Sequence, residues 1–124
     1  MIKIIKTTLF LLFLSLIKVQ VVANTASGHF SDIAGGKNNI AAGDYSSVLG
    51  GRDNIVYGDY SSILGGKDNI VYKESSSVLG GFNNQIEEMN SFVLGYNGIS
   101  QHNNSLVLSF NSGNNSCKSL DTNS

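Results

Sequence analysis

The residues able to do acid–base, nucleophilic or metal chemistry are few, and their spacing argues against catalysis. His29 and His102 fall in turns at opposite ends of a repeat array. No Ser–His–Asp set or carboxylate pair forms without bringing those ends together. Asp44, Asp59, Asp53-Asn54 and Asp68-Asn69 recur at corners, where stacked oxygens could hold Ca²⁺. The glycine-rich calcium signature Gly-Gly-x-Gly-x-Asp is absent, because Gly50-Gly51 runs into Arg52-Asp53. Turn formation and stacked Asn side chains account for these residues. The expectation is a non-catalytic chain with no catalytic, cofactor-binding or metal-binding residues.

Other side chains could meet a partner. Arg52 and Lys67 recur fifteen residues apart, with Lys37 one step earlier, a cation row suited to a sulfated glycan or an acidic surface. The bland alternative is solvated turn residues that deter edge pairing, with Asp53 and Asp68 cancelling much of their charge. Tyr45 and Tyr60 form an aromatic row with Phe30, and Tyr57 and Tyr72 form another. Such rows can dock sugars, and stacking between neighbouring coils explains them equally. Tyr45, Tyr60, Arg52 and Lys67 are the candidate ligand-facing residues.

What positions these side chains is a tandem repeat. Residues 43–57 and 58–72 are the same fifteen-residue string, differing only at Val48/Ile63 and Arg52/Lys67. A unit this short cannot bury its own apolar face and must stack on its neighbours. Residues 28–42 match the two copies position by position. A fourth coil begins at Lys73 and carries Gln85 as an inserted residue. A shorter fifth occupies residues 89–101, and a decayed sixth occupies 102–112. Each coil has two β-branched runs closed by Gly, Asn or Asp, hence two strands, two turns and no room for a helix. Strands recurring in one direction stack in parallel, and six coils make a rod of roughly 25–30 Å. The predicted fold is all-β, a parallel β-roll or β-solenoid of about six coils with a period of about 15 residues.

Three apolar ladders follow. The first is Ile33, Val48, Ile63, Val78, Val93 and Val107. The second is Ala34, Leu49, Leu64, Leu79, Leu94 and Leu108. The third is Ile40, Ile55, Ile70, Ile86 and Ile99. The first two are adjacent on one strand, so their side chains point to opposite faces and only one can be inside. The other is a continuous outward stripe of a kind monomers rarely leave bare. Leu49, Leu64, Leu79, Leu94 and Leu108 are the candidate self-association ladder, each worth about 1.5–3 kcal/mol if buried against a partner.

Residues 1–23 read as a signal peptide. Lys3 and Lys6 precede an apolar core over residues 7–17 that is too short to span a bilayer, with cleavage expected after Ala23. Its removal leaves Lys37, Arg52, Lys67, Lys73 and Lys118 against the 9 acidic residues of the chain, about −4. That balance disfavours nucleic acid as a partner. Residues 24–27 read as a polar lead-in, and 112–124 as a disordered Asn/Ser-rich tail. The chain has 1 cysteine, Cys117, which rules out an intrachain disulfide framework.

The stretches Ser47-Val48-Leu49-Gly50-Gly51, Ser62-Ile63-Leu64-Gly65-Gly66 and Ser77-Val78-Leu79-Gly80-Gly81 resemble the head repeats of YadA-like trimeric autotransporter adhesins. Phe92-Val93-Leu94-Gly95 is a weaker copy. The resemblance covers residues 28–111. It implies a left-handed parallel β-roll of the haemagglutinin type and a homotrimer that binds host surfaces, matrix protein or glycan. The Leu-Gly-Gly variant and the fifteen-residue period depart from the family pattern. No neck, coiled-coil stalk or membrane anchor domain is legible after Ser112. The expectation is a secreted or cell-surface adhesin-like binding module without catalysis. The alternatives are a structural spacer without a ligand, and an ice-binding solenoid using a serine row, Ser46/Ser61/Ser76 or Ser47/Ser62/Ser77.

Overall fold

The computed structural model describes residues 23–110 and 117–118. The signal-peptide reading of residues 1–22, and the tail reading apart from 117–118, lie outside the described residues. The described residues form short strands in chain order. They are β1 (Thr25–Ala26), β2 (Asp32–Ile33), β3 (Ile40–Ala41), β4 (Ser47–Val48), β5 (Ile55–Val56) and β6 (Ser62–Ile63). There follow β7 (Ile70–Val71), β8 (Ser77–Phe82), β9 (Gln85–Ile86), β10 (Phe92–Tyr96), β11 (Gly98–Ser100), β12 (Leu106–Ser109) and β13 (Cys117–Lys118). Odd-numbered strands make one sheet in the order β1-β3-β5-β7-β9-β11-β13. Even-numbered strands make the other, β2 to β12 in sequence order. All pairings are parallel, with Ser47 opposite Ser62 and Ile55 opposite Ile70. The chain is therefore a parallel β-solenoid of about six coils with a period of about fifteen residues. No helix among the described residues is long and apolar enough to cross a membrane.

Alternation along each strand decides what is inside. Val48, Ile63, Val78, Val93 and Val107 from the even sheet meet Ala41, Val56, Val71 and Ile86 from the odd sheet in one buried core. Ile33, at the first coil, is only partly buried against it. The neighbours of these residues on each strand, Leu49 and Ile55 for example, face outward.

The corners are built from two left-handed positions per coil. One carries Phe30, Tyr45, Tyr60, Ser75, Asn90 and Asn104, and the other carries Asn38, Asp53, Asp68, Asn83 and Asn97, all with φ between 53 and 58°. The glycine row beside the second has a sharper requirement. Gly51 has φ +91°, and a Cβ there would lie 2.2 Å from the Gly66 carbonyl oxygen of the next coil.

A buried asparagine ladder holds this corner. Asn39, Asn54, Asn69 and Asn84 are fully enclosed. Asn54 Nδ2 donates to Gly50 O (3.2 Å), Gly66 O (3.0 Å) and Asn39 Oδ1 (3.2 Å). Its own Oδ1 accepts from the backbone N–H and the Nδ2 of Asn69, at 3.1 and 3.0 Å. Asn69 repeats this pattern in full, and at the end of the ladder Asn84 keeps its donor contacts while its Oδ1 accepts from the Gly98 N–H, so polar atoms inside an apolar roll are satisfied by the neighbouring coils.

Three expectations on the organisation need correction. Gln85 is not an insertion. It pairs with Ile70 and Ile99 on the outer face, while Ile86 pairs with Val71 and lies in the core. The third ladder is therefore Ile40, Ile55, Ile70, Gln85 and Ile99. Asn84 enforces this register, because its backbone N–H donates to Asn69 Oδ1. Matching Ile86 to Ile70 by residue type missed it. The fourth coil keeps fifteen residues, and the fifth starts at Glu88, whose carbonyl accepts from Ser76 as Lys73 accepts from Ser61. The single missing residue falls later, at a register shift between Val93 and Leu94. The lead-in is part of the roll, since β1 pairs with β3 and Asn24 Oδ1 starts the asparagine ladder by accepting from the Asn39 N–H. Cys117–Lys118, expected within the disordered tail, pairs with β11.

Candidate functional site

In each coil one turn leads from the odd sheet to the even sheet and the other leads back, so the two turns lie at opposite edges. Tyr45 and Tyr60 occupy the first turn, between β3 and β4 and between β5 and β6. Arg52 and Lys67 occupy the second. The four candidate ligand-facing residues thus form two separate rows and do not converge on one site.

In the first row the rings of Phe30 and Tyr45 are stacked at 5.2 Å between centroids, and those of Tyr45 and Tyr60 at 5.1 Å. The interplanar angles are 17° and 4°. Ring faces within the row cover one another, so the row presents mainly edges and hydroxyls to solvent. Tyr57 and Tyr72 stack in the same way at 5.8 Å.

In the second row Lys37, Arg52, Lys67 and Phe82 are neighbours across successive coils. Arg52 pairs with Asp53 at 3.3 Å and Lys67 with Asp68 at 3.1 Å, each within its own turn. The Lys67 ammonium also sits 5.2 Å from the Phe82 ring centroid, and Phe82 contacts Tyr96. The row therefore changes from cationic to aromatic along the axis, and the charges of Arg52 and Lys67 are matched locally by carboxylates.

The residues considered for chemistry are engaged in structure. His29 and His102 are five coils apart along the axis, about 24 Å at the usual strand spacing. The Asp44 and Asp59 carboxylates accept 2.8 Å hydrogen bonds from the backbone N–H groups of His29 and Asp44 respectively. Among the described residues no three His, Cys, Asp or Glu side chains are grouped to hold a metal ion. Ser46, Ser61, Ser76 and Ser91 are buried, and their hydroxyls bond to turn carbonyls. Of the two serine rows considered as an ice-binding face, the Ser46 row is therefore inside. Ser47, Ser62 and Ser77 face out, with Ser62 and Ser77 bonded to each other at 2.9 Å.

The leucine ladder is the outward one. Leu49 is 54 % exposed, Leu64 45 %, Leu79 42 % and Leu108 49 %; Leu94, half-buried, pairs with Leu108 but lies opposite Gly80, so the expected ladder steps by one residue between Leu79 and Leu94. Two features of the outer surface were not assigned in the sequence reading. Phe92 and Leu106 stand in the column that earlier coils fill with Ser47, Ser62 and Ser77. On the opposite outer face, Ile40, Ile55 and Ile70 form a second, half-buried apolar row beside Tyr57 and Tyr72. The first was readable from the column, since Phe92 follows the same interval after Ser77 as Ser77 does after Ser62.

Fold and surface together define a parallel β-solenoid with an asparagine-pinned core, an apolar outer stripe and two ringed edges. Neither a comparison with protein-family models nor one with curated proteins finds a match to this chain.

Proposed function

We propose that the chain is a secreted or surface-exposed, non-catalytic binding module that works as a homotrimeric roll, similar to the head repeats of YadA-like trimeric adhesins. The observation that carries this reading is the exposed leucine ladder. A continuous run of half-exposed leucines on a rigid sheet is a surface that self-association would cover. Once that face is covered, the aromatic and cationic edges remain available to a host-surface protein, a matrix protein or a glycan. The test is a pull-down of the mature chain on matrix proteins and host cells, against a control with Tyr45, Tyr60, Arg52 and Lys67 replaced together. Equal retention of the two proteins would count against the adhesin reading.

One set of observations favours a second reading, a rigid spacer with no ligand of its own. Coils two and three are nearly identical, Arg52 and Lys67 are each paired within their own turn, and the ring faces cover one another. A specific site needs non-repeated, uncommitted groups. An unchanged phenotype after Tyr45 and Tyr60 are replaced would support the spacer.

A further inference from the structure

The apolar outer face is not uniform along the axis. Two columns of side chains point outward from the even sheet. The leucine column begins with Ala34 and continues as Leu49, Leu64 and Leu79; after the register shift that sets Leu94 opposite Gly80, it resumes with Leu94 opposite Leu108. The column beside it reads Asp32, Ser47, Ser62, Ser77, Phe92, Leu106. In the first four coils it is polar, and in the last two it becomes a ring and a branched aliphatic. Phe92 is 45 % exposed and Leu106 67 %. The stripe is thus one residue wide at the N-terminal end and two residues wide at the C-terminal end.

The pairing of this column does not require the change. At this column the pairing runs from Ser77 to Phe92 to Leu106, the register shift falling beyond it between Val93 and Leu94, and the same outward position accepts serine in three consecutive coils. A departure from the repeat that exposes two large apolar side chains, with no packing partner for them among the described residues, is what a contact beyond those residues explains.

Resting on the self-association reading above, we infer that the contact between copies is anchored on the C-terminal half of this face, by Leu79, Phe92, Leu94, Leu106 and Leu108, and that its occupant is a second copy of the same chain. Three arguments select that occupant. None of these five side chains is ionisable, so no complementary charge on a partner is called for. Apart from the one register shift beside Leu94, the ladder repeats at the strand spacing of about 4.8 Å, and a partner carrying the same repeat and the same shift lets every rung meet an equivalent rung. Finally, Leu79, Phe92, Leu106 and Leu108, 42 to 67 % exposed, and the less exposed Leu94 together offer on the order of 400–500 Å² here, the apolar centre of a standard interface of about 800 Å² per partner. Leu49, Leu64 and the outward serines supply a thinner continuation toward the N-terminal end. A parallel arrangement, as in a cyclic trimer, keeps the wide halves at one level in every copy.

The test uses substitutions that the fold already tolerates in this column. Phe92→Ser with Leu106→Ser restores the residue that precedes them in coils two to four. Light scattering across a concentration series is read for the wild-type chain, this double variant and a Leu49→Ser variant, with circular dichroism to confirm that each keeps its strands. The expected result is a multimer for wild type, at least a tenfold rise in the dissociation constant for the double variant, and a smaller change for Leu49→Ser. A double variant that retains the wild-type mass down to the lowest concentration overturns the anchor while leaving the multimer reading intact. A wild-type chain that is monomeric throughout overturns both. A larger loss from Leu49→Ser than from the double variant places the contact at the other end and refutes the inference.

Discussion

Replacing Asn54 with alanine removes one rung of the buried ladder and should be among the most destabilising single changes outside the apolar core. The side chain makes three donor contacts, to Asn39 Oδ1, Gly50 O and Gly66 O, and accepts two bonds from Asn69. Several partners survive the truncation. Gly66 O still accepts from the Arg52 N–H at 2.9 Å, Asn39 Oδ1 still accepts from the Asn54 N–H, and Asn69 Nδ2 keeps Gly65 O and Gly81 O. The backbone N–H of Asn69, buried at the corner, loses its acceptor. An orphaned buried donor costs about 1–3 kcal/mol, and each remaining lost bond roughly 0.5–1.5 kcal/mol, with incomplete additivity. The expected loss is about 3–5 kcal/mol, a large part of the roughly 5–15 kcal/mol that holds a domain of this size together. Urea unfolding followed by circular dichroism at fixed protein concentration measures it, the concentration being held because self-association adds to apparent stability. A loss below about 1 kcal/mol would refute the reasoning. The glycine geometry alone would then hold the corner, and the ladder would only fill space.

The inside and outside assignment predicts a contrast between adjacent residues. Ile63→Ala should cost about 2–4 kcal/mol in urea unfolding of the folded chain. Leu64→Asp should leave the strands intact by circular dichroism and weaken the multimer by light scattering, because it puts a charge in the covered stripe, and unchanged association of a folded Leu64→Asp protein would mean that the contact does not reach Leu64. The register of the fourth coil is tested by Gln85→Ile and Ile86→Gln. The first should change stability by less than about 1 kcal/mol, and the second should cost more than about 3 kcal/mol, because it puts an amide among apolar side chains. Gly51→Ala should prevent folding or cost several kcal/mol, since it combines an unfavourable φ with a collision on the Gly66 carbonyl; a stable variant by thermal melt would show that neighbouring coils can separate at that corner.

The repeat made the architecture legible, because a fifteen-residue unit copied with two conservative changes has only one way to bury its apolar residues, which is against its neighbours. Strand alternation then required that Val48 and Leu49 lie on opposite faces. The identity of the turns followed from Gly, Asn and Asp. These are local properties, and each coil carries them whole. Three things were not local. Which of Val48 and Leu49 is inside depends on what the opposite sheet brings to meet it, and the β-branched row packs against Ala41, Val56, Val71 and Ile86. The register at Gln85 depends on Asn84 bonding to Asn69 one coil away, so matching residue types along the chain assigned Ile86 to the wrong ladder. The division of Tyr45 and Tyr60 from Arg52 and Lys67 depends on the two turns closing at opposite edges, which only the paired sheets establish. The sequence by itself determined a stacked β-coil with an apolar stripe to spare. The tertiary structure decided which stripe that is and which surface groups share an edge, because both are set by contacts between coils rather than within them.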